Sequence, residues 1–285
     1  MNTNKYLLAD YQLYLPRMIV KTFKEDPRSS FEDLMTNNSG SRYNILSGST
    51  KFRKGQEYIV KGVYLDPHYS KLVCAFSASC KHSCLINTGH MPRHQTKRYK
   101  LTHALSLYPE KFIALLIMEI AMLSIEASFK GVKVAIRFNG TSDIRIEKIL
   151  NLALLKQDYP NVIFYDYTKY PLSSRNVSNS YHLTYSIDEQ HKSMERAKQY
   201  LDEGLPVAIV LNKEDYKKAL QFPFVTDGEK DDYRFKQGSE VVILKAKTLT
   251  YRQGSYQEDG IIRPLKEVTE LVLHITENML QSINQ

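Results

Sequence analysis

The chain has 285 residues, of which 42% are hydrophobic and 25% are charged, and its formal net charge is +8. These proportions are those of a globular protein and argue against a disordered one. The most apolar run, residues 112–123, is too short to span a bilayer and contains Glu119, so no membrane partner is expected. The N-terminus lacks a basic region followed by an apolar stretch, which predicts a cytoplasmic protein.

The predicted elements begin after a polar segment, residues 1–60, that we expect to pack on the core as an irregular N-terminal extension. Residues 61–250 alternate strand-like and helix-like stretches, which is typical of βαβ units with a parallel sheet. Residues 251–285 hold an amphipathic C-terminal helix. Six strands are predicted, at residues 71–75, 133–138, 162–166, 182–186, 207–211 and 241–245.

Helices are predicted between these strands at residues 111–129, 144–157 and 193–203, where apolar residues recur at the helical period. Asp143 could cap the second of them. The pattern favours an α/β fold in the form of a partial or distorted (β/α) barrel of about six strands, and an open doubly wound sheet is the alternative. In both folds ligands bind where the strands end, so residues directly after strands are the candidates for chemistry.

All three cysteines of the chain lie within eleven residues, as Cys74, Cys80 and Cys84. An odd number of cysteines in a cytosolic protein argues for metal binding or catalysis and against a disulfide framework. Soft thiolates select iron–sulfur clusters, zinc or copper(I). We therefore predict a metal centre on these three cysteines, favouring a four-iron, four-sulfur (4Fe-4S) cluster with one open iron position.

Two alternatives to the iron–sulfur cluster stay open. Zinc would be held by the three cysteines together with His68, His82 or His90 as a fourth ligand. The other alternative is three buried free cysteines that act as small hydrophobic residues.

The stretch from residue 67 to 109 contains no Asp or Glu, although it holds six Lys or Arg and five of the eight histidines. Such a basic segment can contact phosphate, so the sequence predicts nucleic-acid contacts there. A solvated helix end is the alternative. The candidate contacts are Arg93, Lys97, Arg98 and Lys100.

Polar residues follow the later strands as well. Asn139, Gly140, Ser142 and Asp143 follow the strand at residues 133–138, and Lys169 and Ser186 lie at the ends of the next two strands. We predict that these residues bind a cofactor, although Asp143 could serve only as a helix cap. The Asp188 and Glu189 pair also lies at a strand end. A further acidic segment, residues 225–235, could hold a hard cation, but it lacks the spacing of a calcium loop. It is therefore expected to be a solvated loop with Arg234 paired to a neighbouring acid.

The cysteines and the later segments RFNGTSD, FYDYTK, YHLTYS, TDGEKDDYRF and LKAK together resemble a bacteriophage family, the gene product 88-like proteins, over roughly residues 60–250. This resemblance implies a viral protein in the host cytoplasm. The layout is also similar to that of radical S-adenosylmethionine enzymes, although their cysteines usually follow a C-x3-C-x2-C spacing and these follow C-x5-C-x3-C. That similarity implies that residues 139–143 receive the amino group of S-adenosylmethionine and that Ser186 lies near its carboxylate.

The leading functional hypothesis is a phage-encoded iron–sulfur enzyme of the radical S-adenosylmethionine type that acts on a nucleotide or nucleic acid. A second hypothesis is a nucleic-acid-binding protein whose metal only folds the basic loop. A third is a host-interaction protein without catalysis.

Overall fold

The computed structural model describes residues 2–15, 29–48, 57–76, 80, 84–176, 178–190, 192–247 and 261–283. His82, one of the histidines predicted for the zinc alternative, lies outside these residues. Within them, eight strands form one sheet in the order β1-β2-β3-β4-β5-β6-β8-β7. The strands are β1 (Leu46–Ser47), β2 (Tyr58–Val63), β3 (Lys133–Arg137), β4 (Val162–Thr168), β5 (His182–Ser186), β6 (Val207–Leu211), β7 (Val225–Asp227) and β8 (Val241–Lys245).

The sheet is mainly parallel and is not closed. β1 pairs antiparallel with β2, whereas the pairs β2–β3, β4–β5, β5–β6, β6–β8 and β7–β8 are parallel. Its α-helices are α1 (Phe31–Leu34), α2 (Gln95–Leu107), α3 (Pro109–Lys130), α4 (Leu152–Asp158), α5 (Ser193–Asp202), α6 (Lys213–Ala219) and α7 (Leu265–Ile283). Short 3-10 helices occur at Thr3–Tyr6, Tyr11–Tyr14, Leu85–Asn87, Met91–His94, Ile146–Lys148, Leu172–Ser174 and Arg234–Lys236. The predicted α/β class and partial barrel agree with this open sheet.

Two predicted elements are wrong. Residues 71–75 form a turn in which only Cys74 makes an isolated bridge, and the first parallel strand is β2. The predicted helix at residues 144–157 is interrupted, because Asn151 caps a separate helix, α4, by accepting a hydrogen bond from Leu154 N. Asp143 therefore does not cap a helix at residue 144, so the alternative that Asp143 serves only as a helix cap is wrong.

The chain divides into two compact units, and the division falls inside β4. The first unit comprises Met1–Ala75 and His90–Phe164, and the second comprises Phe76–Gly89 and Tyr165–Gln285. In the first unit, α3 packs on β2 and β3. The central residues of β3, Val134, Ala135 and Ile136, are fully buried. In the second unit, α7 packs against α5, α6 and β8.

α3 begins with Pro109 and ends at Gly131, whose φ of +64° is the left-handed conformation that glycine adopts readily at a helix C-terminus. By length and composition α3 could cross a membrane, a criterion that core helices of soluble proteins also meet. Its Glu119 carboxylate accepts hydrogen bonds from the backbone N–H groups of Ile45 and Leu46 at 2.9 and 2.7 Å. These bonds join α3 to the start of β1, so α3 is a core helix of the first unit.

The predicted stripe of the C-terminal helix is buried in its first half. Val268, Leu271, Val272 and Ile275 lie in the interior, whereas Met279 and Ile283 are exposed. The helix therefore covers the second unit along its first turns, as the 3.6-residue period of its apolar residues indicates.

Candidate functional site

The turn after β3 is fixed by the absence of a side chain at Gly140. Gly140 N donates a hydrogen bond to the carbonyl of Val63 at 2.8 Å, which ties the turn to the end of β2. A Cβ at this position would lie 2.6 Å from the Tyr64 ring and 2.8 Å from the Val63 carbonyl oxygen. Glycine is therefore required for close approach of two backbone segments.

Asn139 holds the same turn with its side chain. Its Oδ1 accepts hydrogen bonds from Ile144 N and Ser142 Oγ, both at 2.8 Å, and its Nδ2 donates to the Ile144 carbonyl at 2.9 Å. Asn139 is 2% exposed. The polar groups predicted to bind a cofactor at Asn139 and Ser142 thus have structural partners inside the turn.

Cys74 and Asp143 are neighbours in the first unit. They form a parallel bridge, in which Asp143 N donates to the carbonyl of Val73 at 2.8 Å. Asp143 is 4% exposed, and Cys74 is half-buried. The predicted metal ligand Cys74 therefore lies beside the predicted cofactor ligand Asp143 at the end of β3.

In the second unit, Phe76, which precedes Cys80 and Cys84 in the sequence, has well-defined contacts. The Phe76 ring packs edge-on against Tyr170, with 4.6 Å between centroids, and the guanidinium of Arg196 lies 5.4 Å from the Phe76 centroid. The Phe76 carbonyl accepts a hydrogen bond from Gln190 Nε2 at 2.9 Å. Since Tyr170 follows β4 and Gln190 follows β5, Phe76 is held where these two strands end.

Cys80 shares its electrostatic surroundings with groups that follow the same strands. Burial raises the pKa of the Cys80 thiol to about 11. The positive charge of Lys169 lowers that pKa, whereas Cys84, Glu189 and Asp188 raise it further. Two thiols, one ammonium group and two carboxylates thus lie close enough to influence one another.

Lys169 is held in this cluster by long contacts. Its Nζ lies 3.3 Å from the Ser186 carbonyl, 3.4 Å from Ser186 Oγ and 3.8 Å from Asp188 Oδ2. The Asp188 carboxylate is almost fully buried and also accepts hydrogen bonds from Gln190 N and Nε2 at 3.1 and 3.0 Å. The two predicted residues Lys169 and Ser186 are therefore in contact.

Arg263 adds a second positive charge near these carboxylates. It donates to both oxygens of Glu267, at 2.9 and 2.6 Å, and these bonds raise the pKa of Arg263. The charges of Asp188 and Glu189 contribute in the same direction. Arg263 was not predicted from the sequence, although its i, i+4 spacing from Glu267 at the start of α7 is a recognisable signal.

A buried network surrounds Arg234, which is 1% exposed. Arg234 donates to the Tyr167 hydroxyl at 2.6 Å and to the Gly228 carbonyl at 2.9 Å, and it lies 4.0 Å from Asp232. The predicted pairing of Arg234 with an acid of its loop is present. The expectation of a solvated loop is wrong for Arg234 and Asp232, because both side chains are buried.

A second buried network, which the sequence analysis missed, lies at the end of β4. Arg175 donates to Thr168 Oγ1 at 2.7 Å and to the Tyr181 hydroxyl at 3.3 Å. Tyr181 in turn donates to Asp166 at 2.5 Å. These bonds satisfy buried polar groups beside Lys169 and fix the backbone from which Lys169 extends.

The basic segment predicted to contact nucleic acid is largely engaged within the first unit. Arg98 is 2% exposed and donates to the carbonyl of Met91 at 2.6 Å, so its position does not fit phosphate contact from solution. Lys97 donates to Ser47 Oγ at 2.8 Å, and Lys100 donates to the carbonyl of Thr36 at 3.0 Å. Arg93 is the exposed member of the predicted set.

The second unit offers Cys80 and Cys84 as soft donors, and the charge of Lys169 opposes the effect of burial on the Cys80 thiol. Among the residues that the structure describes, no group of three or more His, Cys, Asp or Glu side chains lies close enough to hold a metal ion. The described structure therefore does not bring the three predicted ligands Cys74, Cys80 and Cys84 together as one metal site.

Comparison with known proteins places the chain in a family. No curated protein and no solved structure matches it. The family model described as Gene product 88 matches residues 38–259, a range wider than the predicted resemblance, and confirms it. The chain therefore belongs to the Gene product 88 family of bacteriophage proteins.

Proposed function

We propose that this phage protein binds an iron–sulfur cluster through the thiolates of its cysteine motif and acts on a nucleotide or nucleic acid as an enzyme of the radical S-adenosylmethionine type. The observation that carries the proposal is the shared charged surroundings of Cys80 and Cys84, with Lys169, at the carboxyl ends of β4 and β5. Ligands of parallel α/β sheets bind at these ends. Cys74 belongs to the ligand set by its place in the sequence motif.

The order of elements also supports the proposal. A parallel strand, β2, is followed by the cysteine segment, by helices α2 and α3, and by β3 with its polar turn. The layout similarity to radical S-adenosylmethionine enzymes rests on this order. When bound, the cluster supplies an electron to the cofactor.

The residues of the chain would have three tasks in this function. Cys80 holds its proton at neutral pH because burial raises its pKa to about 11, so metal binding must release that proton. Lys169 offers an ammonium group for the carboxylate of S-adenosylmethionine, and Ser186 offers a hydroxyl beside it. The similarity in layout, not a contact in the structure, assigns residues 139–143 to the ammonium group of the cofactor.

Metal analysis of anaerobically purified protein tests the cluster. We expect iron and sulfide together with a brown visible spectrum, and we expect Cys74→Ala, Cys80→Ala and Cys84→Ala each to abolish metal retention. Leu85→Ala is the matched control, because Leu85 is exposed and adjoins Cys84 without offering a ligand. Colourless protein with one zinc per chain, or full iron content in Cys80→Ala, would contradict the proposal.

Calorimetry on the reconstituted protein tests the cofactor. Lys169→Met should weaken S-adenosylmethionine binding about tenfold or more, because one charge-assisted hydrogen bond is lost. Asp143→Asn should also weaken binding while the iron content stays unchanged. Lys217→Met, at an exposed site on α6, is the control. Absence of any binding to iron-loaded protein would leave an iron–sulfur protein and end the radical-enzyme proposal.

A further inference from the structure

The helix α3 is apolar on two faces, and within the part of the unit that the structure describes one face is buried and the other is exposed. Five residues of the inner face are buried, namely Phe112, Ile113, Leu116, Ile117 and Ile120. The outer face exposes Met118 (50%), Met122 (68%), Ile125 (59%) and Phe129 (89%). Soluble proteins rarely expose a contiguous apolar patch of this kind unless it meets a partner.

The spacing of the outer face is that of a helix–helix seam. Met118 and Ile125 are seven residues apart, and so are Met122 and Phe129. Beside them runs a column of small residues with the same spacing, Ala114, Ala121 and Ser128. Small side chains let two helix backbones approach closely, so the outer face has both the large apolar residues and the column that a packed helix pair needs.

The rim of this face carries little unpaired charge. Glu126 and Lys130 form an ion pair with each other, and the Ser128 hydroxyl donates to the Ser124 carbonyl at 3.0 Å. Both side chains are about half exposed, so the pair can stay in water at the edge of an interface that covers the apolar residues.

We propose that the outer face of α3 is the interface of a homodimer, in which two copies of α3 pack antiparallel across a two-fold axis near Ala121. In this arrangement Ala114 of one copy meets Ser128 of the other, so the small column complements itself, as an isologous interface requires. The four exposed side chains offer about 500 Å² per copy, or about 1,000 Å² per pair, which is the minimum for a biological interface and corresponds to a weak, reversible dimer.

A second copy fits this face better than a lipid surface does. Helices that lie on membranes turn a basic polar face to water, whereas the other face of α3 is buried against β2 and β3. The bonds from Ile45 and Leu46 to Glu119 hold α3 in that place.

Sedimentation and light scattering of the full chain test the interface. Wild-type protein at micromolar concentration should show twice the mass of one chain, and Met122→Glu or Ile125→Glu should weaken the dimer about a hundredfold. Leu273→Glu, at a 56% exposed apolar position on α7, is the matched control and should stay dimeric. If a Glu variant loses its circular dichroism signal, Phe129→Ser replaces it.

A second measurement fixes the geometry. Ala121→Cys should form a disulfide between two copies of residue 121 under mild oxidation, identified by peptide mass spectrometry. A monomeric wild-type protein, a dimer that persists in the folded Ile125→Glu variant, or a monomer that floats with anionic vesicles through this face would overturn the proposal. The result is independent of metal content and of the proposed enzyme function.

Discussion

The turn after β3 and the cluster after β4 and β5 occupy equivalent positions at strand ends, yet they use their polar groups differently. In the turn, the Asn139 side chain meets its partners at 2.8–2.9 Å and is buried. In the cluster, the contacts of Lys169 with Ser186, Ile187 and Asp188 are 3.3–3.8 Å long. A strand-end position therefore indicates where chemistry can occur, whereas the quality of the hydrogen bonds separates a structural clamp from a group that can take a ligand.

The largest effect is expected for Asn139→Ala. This change removes three hydrogen bonds and leaves the buried N–H and carbonyl of Ile144 without their side-chain partners, which should cost about 3–5 kcal/mol of stability. Urea unfolding followed by circular dichroism measures the loss. Ser142→Ala removes only one of these bonds and should cost about 1 kcal/mol. Equal midpoints for Asn139→Ala and wild type would show that the turn is not a clamp.

A smaller effect is expected for Gly140→Ala. The added methyl group would meet the Val63 carbonyl oxygen at 2.8 Å and the Tyr64 ring at 2.6 Å, so β2 and the turn must separate, at a cost of about 2 kcal/mol. Gly48→Ala is the control, because the nearest atom to its Cβ is Lys61 Nζ at 3.8 Å. Thermal unfolding of the two variants compares them directly. A Gly140→Ala protein as stable as Gly48→Ala would refute the close approach.

Lys169→Met should change the reactivity of Cys80 more than the stability of the protein. Its long contacts predict a loss of about 1 kcal/mol. Because the charge of Lys169 favours the Cys80 thiolate, the pKa of Cys80 should rise further, and alkylation of Cys80 at any pH below about 11 should become slower. Peptide mass spectrometry of iodoacetamide-treated protein measures the rate at Cys80. Lys217→Met should leave the rate unchanged, and an unchanged rate in Lys169→Met would remove Lys169 from the site.

The direction in which stability changes with pH follows from the raised pKa of Cys80. The pKa of Cys80 is higher in the folded chain than in the unfolded one, so its contribution to stability is complete below the ordinary thiol pKa. That contribution is lost as the pH rises toward about 11, where the thiol ionises in the folded chain. Cys80→Ala should therefore flatten the alkaline fall in unfolding midpoint.

The smallest effect is expected for Ser186→Ala. The hydroxyl lies 3.4 Å from Lys169 Nζ, a distance at which a hydrogen bond is weak, so stability should change by less than about 0.5 kcal/mol. Binding of S-adenosylmethionine to reconstituted protein is the sharper measurement. A loss of stability as large as that of Asn139→Ala would show that Ser186, like Asn139, mainly stabilises the fold.

The sequence predicted the strands of the second unit well. β5, β6 and β8 lie at the predicted residues. β6 and β8 are short apolar runs buried within a parallel sheet, whereas β5 carries buried Leu183 and Tyr185 between polar residues. β7 was predicted to be part of a solvated loop, which is wrong for Val225–Asp227. β2 was missed, although Val60 and Val63 are buried, because its Lys61 and Gly62 interrupt the apolar pattern. α2 was missed because its buried face includes Arg98, Thr102 and His103, which a pattern of apolar residues does not register.

The location of the candidate site could be predicted from the sequence, but the contacts of its individual side chains could not. The period of strands and helices located Lys169 and Ser186 at neighbouring strand ends, and the two side chains are in contact. The structural role of Asn139 could not be predicted, because an asparagine after a strand can either hold a turn together or bind a ligand, and the sequence is the same in both cases. The burial of Arg98 also depends on tertiary packing, which a run of basic residues does not reveal.

The position of β8 in the sheet has a consequence for synthesis on the ribosome. β7 precedes β8 in the chain, yet β8 lies between β6 and β7, and β7 pairs with β8. While residues 241–245 are still inside the ribosome, β7 has been made but its pairing strand is absent, and β6 has an unpaired edge toward β8. Nascent chains stalled before Val241 should therefore be open to proteolysis at β7 and to aggregation at the edge of β6, and release of β8 should end both.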